Sequence, residues 1–136
     1  MSDSGMYMDN ILDYYKHPRN YGTIKDADAS VKDMNPLCGD EIQVDLKIRN
    51  NAIQDIKFSG HGCAISQASV SMLTEFVSGK SLDKIKSLAK NDVLNLIGIE
   101  VSAVRMKCAL LGLKVLKVAA YSYLGEKMKD EEKNEL

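Results

Sequence analysis

The sequence predicts an α+β fold, in which a small three-stranded antiparallel sheet carries helices packed on one face. In one segment of the first half of the chain, apolar and polar residues alternate, and through most of the second half apolar residues recur at helical spacing. An asparagine pair, Asn50 and Asn51, interrupts the first half at the place where a hairpin would turn. The 136 residues are expected to form one domain.

The chain is predicted to begin with a short helix over residues 6–15. Its apolar residues fall on one side, namely Met8, Ile11, Leu12 and Tyr15. The helix is expected to stop before Pro18, because the residue that precedes a proline avoids the helical region. Residues 1–5 are expected to be flexible. A weak first strand is predicted over residues 29–34.

The next two strands are predicted to form a hairpin. Residues 40–49 alternate as expected of a half-buried strand, and their apolar members are Ile42, Val44, Leu46 and Ile48. Asn50 and Asn51 tolerate positive φ and therefore suit a tight turn. Residues 52–59 form the returning strand, although their alternation slips once.

Four helices are predicted to follow, over residues 64–78, 82–90, 92–97 and about 102–124. Ser81 is a suitable N-cap for the second of them. The last helix carries an apolar stripe made of Val104, Cys108, Leu111, Val115 and Val118. Residues from about 125 to 136 are almost all charged or polar, and they are expected to be flexible and exposed to solvent.

Composition and charge exclude several classes of function. The net charge is −1 and the isoelectric point is about 6.1, which gives no electrostatic basis for binding nucleic acid. No apolar run approaches the ~20 residues that span a bilayer, so no membrane partner is expected. The first residues lack the basic and apolar regions of a signal peptide. Three cysteines leave at least one free thiol, which indicates a reducing, cytoplasmic location.

Two of the three cysteines lie beside glycine. Cys38 occurs in the sequence NPLCGD, and Cys63 occurs in SGHGCAIS. The midpoint between them falls on the predicted turn, so the hairpin returns Cys63 to the end of the sheet where Cys38 lies. Asp40 follows Cys38 by two residues. The two thiols and the Asp40 carboxylate are therefore expected to cluster.

The third cysteine, Cys108, lies near the start of the last helix, and Cys63 opens a helix of its own. A thiol near a helix N-terminus lies close to the positive end of the helix dipole, which favours thiolate. Three thiolates and one carboxylate are enough for tetrahedral zinc or for one side of an iron–sulfur cluster. The pattern thus indicates a metal or cluster site.

Two other interpretations of the cysteines stay open. Free cysteine is often a small core residue, which suits Cys108 on its apolar stripe better than Cys38 or Cys63 in glycine-rich loops. A thiol enzyme would instead need a general base, for which His61, two residues before Cys63, is the candidate. His17 lies in a proline-containing turn and is more easily explained as a structural residue.

Three segments together resemble the U-type iron–sulfur cluster assembly proteins, the family of IscU, SufU and the N-terminal domain of NifU. They are YYKHPRNYG at residues 14–22, NPLCGD at residues 35–40 and GHGCAIS at residues 60–66. Each motif alone is modestly specific, but in this order they are highly specific, and the match covers nearly the whole chain. The resemblance implies a single scaffold domain over residues 1–136, with a SufE/NifU-like fold.

The resemblance also implies a function. The protein is expected to receive sulfur from a cysteine desulfurase and iron from an iron donor, and to assemble a transient [2Fe–2S] cluster for transfer to apo iron–sulfur proteins. The implied ligands are Cys38, Asp40, Cys63 and Cys108, which are also expected to bind Zn²⁺ when no cluster is present. Such a scaffold is not an enzyme, and it is expected to be a monomer or a cluster-bridged homo-oligomer.

Roles within the implied ligand set can be assigned as hypotheses. Cys108 and Cys38 are the candidates for the first sulfur acceptor, because persulfide exchange needs an accessible thiolate. Asp40 would be a weak and replaceable ligand that allows the cluster to be released. The resemblance suggests that its replacement gives a more persistent cluster.

Two departures resemble the SufU branch. Lys107 stands where the IscU branch carries a histidine, and it is a candidate to attract the persulfide or to stabilise thiolate. The LPPVK segment of the IscU branch is replaced by EVSAV at residues 100–104. The stretch between Cys63 and Cys108 nonetheless has the short, IscU-like length. Three hypotheses follow: a cluster scaffold, a zinc-dependent sulfurtransferase that activates a desulfurase, and a purely structural zinc domain.

Overall fold

Helices flank a small antiparallel sheet in the computed structural model, which describes residues 2–36, 39–128 and 136. The elements of this described part are α1 (Ser2–Lys16), β1 (Ala29–Asn35), β2 (Asp40–Arg49), β3 (Ala52–His61), α2 (Ala64–Val77), α3 (Leu82–Ser87), α4 (Lys90–Ile97) and α5 (Ala103–Leu124). The predicted α+β class is confirmed.

The sheet has the strand order β1-β2-β3, and both pairings are antiparallel. Asn50 and Asn51 have φ values of 54° and 61°, so the predicted hairpin turn lies where the sequence indicates. The slip in the alternation of β3 corresponds to a register shift between Lys47 and Ile48 of β2. Because of this shift, β3 keeps its apolar side chains on the core face despite the extra residue.

The core lies between one face of the sheet and the helices α2 and α5. The apolar residues of β2 and the side chain of Phe58 in β3 are buried there. On the opposite face, the chain before β1 crosses the sheet, where Asp45 accepts hydrogen bonds from the Ser30 hydroxyl at 2.6 Å and from the Ile24 amide at 2.9 Å. The helices therefore cover one face, as predicted, and a loop covers part of the other.

Residues 14–22 fasten α1 to the rest of the molecule. The Arg19 amide donates to the hydroxyl of Ser71 in α2 at 2.8 Å, and the Asn20 side chain donates to Thr74 at 3.1 Å. The Asn20 carbonyl accepts from the Phe58 amide at 2.9 Å. The segment thus joins α1, α2 and β3 through these hydrogen bonds, of which only the one to Thr74 depends on the side chain of the segment.

A second set of contacts on α1 involves Tyr14. Its hydroxyl donates to the Glu75 carboxylate of α2, and this hydrogen bond raises the pKa of Tyr14. The Arg19 guanidinium lies 4.0 Å from the centre of the Tyr14 ring and 2.7 Å from the Asp13 carboxylate. The hydrogen bond from Arg19 lowers the pKa of Asp13.

The helix boundaries differ from the sequence prediction by two residues or more at three places. Helix α1 begins at Ser2 rather than residue 6. Helix α3 ends at Ser87 rather than residue 90, because the chain is extended at Leu88. Helix α4 begins at Lys90 rather than residue 92, because the Asp92 carboxylate accepts the Ala89 amide at 2.8 Å and fixes the start there.

Side-chain burial corrects two further expectations. The sequence predicts Val104 on the apolar stripe of α5, but its side chain is exposed (64%), because the first turn of α5 extends beyond the core. The expectation that residues 125–136 are exposed is wrong at Met128 and Leu136, which are buried against the core.

The flexibility of residues 1–5 and of about 125–136 stays a prediction. No helix in the described part of the chain has the length and apolar character that crossing a bilayer requires.

Candidate functional site

Three of the four predicted ligands meet at one end of the sheet. Asp40 is the first residue of β2, Cys63 precedes the first residue of α2, and Cys108 lies in the second turn of α5. One ligand atom from each lies within 4.8 Å of the other two. The hairpin returns Cys63 to Asp40, as the spacing predicts. Within the described residues, no other group of this kind occurs.

Asp40 is 1% exposed and contacts Cys63 through both of its carboxylate oxygens. Oδ1 accepts the backbone amide of Cys63 at 2.9 Å. Oδ2 lies 3.7 Å from Sγ of Cys63, where it accepts the thiol proton. The carboxylate therefore holds both the backbone and the side chain of this cysteine.

Gly62 makes this contact possible. Its φ is +154°, and a Cβ atom at this position would lie 2.3 Å from Oδ1 of Asp40 and 2.8 Å from Oγ of Ser66. Gly60 has a similar requirement, since its φ is +136° and a Cβ would lie 2.0 Å from the carbonyl oxygen of Glu41. Gly62 thus permits a close approach to the backbone, and the group that approaches is the Asp40 carboxylate.

Cys63 is the N-cap residue of α2 and is half-buried. Its carbonyl accepts the Gln67 amide at 3.1 Å and the Ser66 hydroxyl at 3.1 Å, which fixes the first turn of the helix. Its sulfur makes no capping hydrogen bond. The backbone of Cys63 is therefore held firmly, and its thiol lies at the partly open side of the site.

Cys108 is fully buried in α5. Its Sγ lies 3.7 Å from the side-chain nitrogen of Asn35. Since Cys108 is in the second turn of α5, the helix dipole acts on it less strongly than it would on a residue at the helix N-terminus. Burial alone fits a core cysteine, but the short distances to Asp40 and Cys63 favour a ligand.

Cys38, together with Leu37, lies outside the described residues. The ends of its loop are well placed, because Asn35 and Asp40 are cross-strand partners and the Gly39 amide donates to the Asn35 carbonyl at 2.8 Å. The loop therefore starts and ends at the site. The role of Cys38 as a ligand or as a sulfur acceptor stays a prediction.

Lys107 has an exposed side chain whose Nζ donates to the Leu136 carbonyl at 3.3 Å. The two residues border a shallow groove whose other lining residues are Met34, Asn35, Pro36, Leu111 and Lys114. Because Asn35 also contacts Cys108, the groove reaches the edge of the thiol site. Lys107 is therefore near the site, and its part in sulfur transfer stays a prediction.

Neither histidine is placed as a general base for the two thiols that the structure describes, Cys63 and Cys108. His61 pairs with Glu41 across the β2–β3 ladder, its Nε2 lies 3.8 Å from the Glu41 carboxylate, and its side chain is 72% exposed. Glu41 and Asp40 point to opposite faces of β2, so His61 lies on the face away from Asp40. His17 lies in the turn after α1, where its carbonyl accepts from Arg19 at 2.8 Å. The general-base interpretation is not supported.

Two residues at the site were not singled out from the sequence. Tyr21 donates from its hydroxyl to the Gly60 carbonyl at 3.2 Å, and its ring packs edge-on against Phe58 with the centres 5.2 Å apart. Asn35 contacts Cys108. The strand register could have indicated Asn35, since it is the cross-strand partner of Asp40 and must share its face.

The donor set fits a tetrahedral thiolate metal site. Zinc–sulfur bonds of about 2.3 Å and zinc–oxygen bonds of about 2.1 Å place a sulfur and an oxygen ligand about 3.6 Å apart in a tetrahedron. The 3.7 Å between Oδ2 of Asp40 and Sγ of Cys63 is close to this value. Two sulfurs and a carboxylate oxygen are ligands that zinc accepts, and thiolates are also the usual ligands of iron–sulfur clusters.

Comparison with known proteins gives a consistent result. The family model described as the NifU-like N-terminal domain matches residues 6–130. The chain is 34% identical over 131 residues to the iron–sulfur cluster assembly scaffold protein IscU 1 of Archaeoglobus fulgidus, and this match covers 96% of the chain and 85% of that protein. It is 36% identical over 130 residues to the zinc-dependent sulfurtransferase SufU of Bacillus subtilis, with 82% and 87% covered.

Solved structures agree with this result. The crystal structure of FiSufU, a SUF-system protein of Fervidobacterium islandicum, superposes with a TM-score of 0.74 at 31% identity, covering 82% of this chain and 93% of that one. The N-terminal part of a NifU-like protein from Brucella abortus superposes with a TM-score of 0.73 at 21% identity, covering 87% and 94%, and supports the fold alone.

Proposed function

The chain belongs to the family of NifU-like N-terminal domains, and on that premise we propose that it is an iron–sulfur cluster assembly scaffold. It accepts sulfur from a cysteine desulfurase, assembles a [2Fe–2S] cluster and transfers it to apo-proteins. The proposed ligands are Cys38, Asp40, Cys63 and Cys108. The observation that carries the proposal is the convergence of ligand atoms from Asp40, Cys63 and Cys108 within 4.8 Å.

Sulfur acceptance is a thiol exchange. A thiolate of this chain attacks the outer sulfur of the desulfurase persulfide, a new S–S bond forms, and the electron pair of the old bond leaves on the desulfurase cysteine. Cys108 and Cys38 are the proposed acceptors. Because Cys108 is fully buried, acceptance there requires the site to open when the desulfurase binds.

Cluster assembly and release depend on the mixed ligand set. Each transferred sulfur must gain two electrons to become sulfide, and these come from an external thiol or electron-transfer protein. Asp40 supplies oxygen where the other proposed ligands supply sulfur, so it is the ligand that an incoming thiol of the acceptor displaces most easily. The cluster is cargo, and the weak ligand permits its departure.

The experiment that tests the scaffold is an anaerobic reconstitution. The apo-protein is mixed with ferrous iron, cysteine, dithiothreitol and a cysteine desulfurase, and visible absorption and circular dichroism are followed. A [2Fe–2S] spectrum that forms on the chain and passes to an apo-ferredoxin is expected. If no cluster forms while desulfurase turnover is stimulated, the scaffold proposal is wrong.

A second function, a zinc-dependent sulfurtransferase, is favoured by one residue. Lys107 takes the place of the histidine of the IscU branch, and the chain is similar to SufU of Bacillus subtilis. Zinc bound by the same four residues would keep their thiols deprotonated until the desulfurase engages the site. Tight binding of zinc at a one-to-one ratio and zinc-dependent stimulation of the desulfurase are the expected signs.

Both proposed functions require reduced thiols, so we place the protein in the cytoplasm.

A further inference from the structure

Asn35 is a buried amide that faces one of the candidate ligands. Asn35 is only 7% exposed, and its side-chain nitrogen Nδ2 lies 3.7 Å from Sγ of Cys108. This is hydrogen-bonding distance for a nitrogen donor and a sulfur acceptor. Asn35 is the last residue of β1, which packs against α5. The contact therefore joins the end of the sheet to the helix that carries Cys108.

The closure of the Cys38 loop does not explain this side chain. The loop is closed by a backbone hydrogen bond, in which the Asn35 carbonyl accepts the Gly39 amide at 2.8 Å. Any residue at position 35 would supply that carbonyl. The amide side chain must therefore serve another contact, and one such contact is its hydrogen bond to the Cys108 sulfur.

The hydrogen bonds to the two described thiols run in opposite directions. At Cys63 the sulfur donates its proton to Asp40, and this bond is lost when the thiol is deprotonated. At Cys108 the sulfur accepts from Asn35, and this bond becomes stronger when the sulfur carries negative charge. Asn35 is therefore suited to a sulfur that serves as a thiolate ligand.

We propose that Asn35 is a positioning residue for Cys108, and that its side-chain N–H donates to the Cys108 sulfur while that sulfur ligates a metal ion or a cluster. The inference rests on the proposed function, because it takes Cys108 to be a ligand. Partners of this kind, next to the ligands, typically raise metal affinity 10- to 100-fold, and hydrogen bonds to cluster sulfurs shift their electronic properties. Asn35 thus makes Cys108 the firmly held ligand of the set.

Two substitutions separate the effect of the hydrogen-bond donor from the effect of side-chain shape. Asn35→Leu keeps a similar volume and removes the donor, whereas Asn35→Asp keeps the shape and places a second negative charge beside the thiolate. The matched control is Gln43→Leu, which removes an amide donor that lies on the other face of β2 and contacts Asp45 at 3.0 Å. Circular dichroism and thermal denaturation of the apo-proteins verify that each variant folds.

The readouts are metal affinity and the spectrum of the cobalt-loaded protein. In a competition with a chromophoric chelator, we expect zinc affinity to fall about tenfold in Asn35→Leu, to fall further in Asn35→Asp, and to be unchanged in Gln43→Leu. In the Co²⁺ form, the sulfur-to-cobalt charge-transfer band of Asn35→Leu should move to longer wavelength, because the sulfur loses a donor that withdraws charge.

The outcomes distinguish this inference from the proposed function. If the wild-type protein binds neither Zn²⁺ nor Co²⁺ and forms no cluster, the proposed site itself is wrong. If the wild-type protein binds Co²⁺ and Asn35→Leu shows the same band and the same zinc affinity, only the role of Asn35 is wrong.

A measurement on the unmodified protein covers the case in which the variants do not fold. In the ¹¹³Cd-loaded, ¹⁵N-labelled protein, a hydrogen bond through the ligand sulfur should give a correlation between cadmium and an Asn35 side-chain amide proton. It should also shift that proton downfield on metal loading. A side-chain proton that neither shifts nor couples would overturn the inference.

Discussion

The two described thiols lie in opposite halves of one site, and the halves are built differently. The Cys63 half consists of a glycine-rich loop, a helix N-terminus and a buried carboxylate, and it is partly open to solvent. The Cys108 half consists of the second turn of a long helix and a strand end with a buried amide, and its sulfur has no exposed surface. The comparison suggests that the first half releases cargo and the second half retains it.

The largest effect is expected from Gly62→Ala, which disrupts the packing of Asp40 in the Cys63 half of the site. The added methyl would overlap Oδ1 of Asp40 and impose a strained φ, so we expect a loss of about 3 kcal/mol in the free energy of unfolding. Metal binding should be lost as Asp40 is displaced. The control is Gly79→Ala, which has a φ of +80° and open space around it, and which should cost only about 1 kcal/mol of strain. Urea denaturation measures both, and equal losses would contradict the overlap.

Substitution of Asp40 sharpens the comparison, because this carboxylate has two separable contacts. Asp40→Ala should slow cluster transfer to an apo-ferredoxin about tenfold, equivalent to ~1.4 kcal/mol in the barrier. It should also cost about 1–3 kcal/mol of stability, because the half-buried Cys63 amide loses its acceptor. Asp40→Asn keeps an acceptor oxygen and should retain most of the stability while still slowing transfer. An unchanged transfer rate in both variants would remove Asp40 from the release step.

Lys107→Ala tests the edge of the Cys108 half. Its side chain is exposed, so the free energy of unfolding should change by no more than about 0.5 kcal/mol. Sulfur acceptance from a desulfurase persulfide, followed by mass spectrometry of the trapped persulfide, should nonetheless fall severalfold. Lys114→Ala, about two turns further along α5, is the control, and its Nζ contacts Asp33 at 3.1 Å. If Lys107→Ala accepts sulfur at the wild-type rate, the assisting role is wrong.

The smallest effect is expected from Tyr21→Phe, which removes the hydrogen bond to the Gly60 carbonyl and leaves the ring against Phe58. The stability should fall by less than about 0.5 kcal/mol, because the hydrogen bond is exposed to solvent. Because Gly60 lies in β3 three residues before Cys63, alkylation of Cys63 should become faster while that of Cys108 stays the same. Equal changes at both cysteines, measured by peptide mass spectrometry, would show that the two halves are not independent.

Local patterns in the sequence predict the Cys63 half better than the Cys108 half. The alternation of β2 and the Asn50–Asn51 turn are enough to return Cys63 to Asp40, since both depend on neighbours in the chain. The place of Cys108 depends on how α5 packs on the sheet, which no local pattern fixes. Val104 illustrates the limit, because it continues the apolar spacing of the helix and yet lies beyond the core.

The contact between Asn35 and Cys108 was not predictable from composition or spacing. It requires the register of β1 on β2, which pairs Asn35 with Asp40, and it requires the packing of α5 against β1. The burial of Met128 and Leu136 was missed for a similar reason, because a polar segment can still contribute single apolar side chains to a distant surface. The spacing around the hairpin and the family resemblance both indicate Asp40 as a ligand, and the structure adds its hydrogen bond with the Cys63 amide.

The three converging side chains come from segments that are far apart along the polypeptide. Any ion or cluster held by Asp40, Cys63 and Cys108 therefore acts as a cross-link, which restricts the unfolded chain much as a disulfide does. The loaded molecule should melt at a higher temperature than the empty one, by an amount that grows with the concentration and affinity of the cargo. Transfer of the ion or cluster then leaves a less constrained polypeptide, so the melting temperature reports whether the protein is loaded.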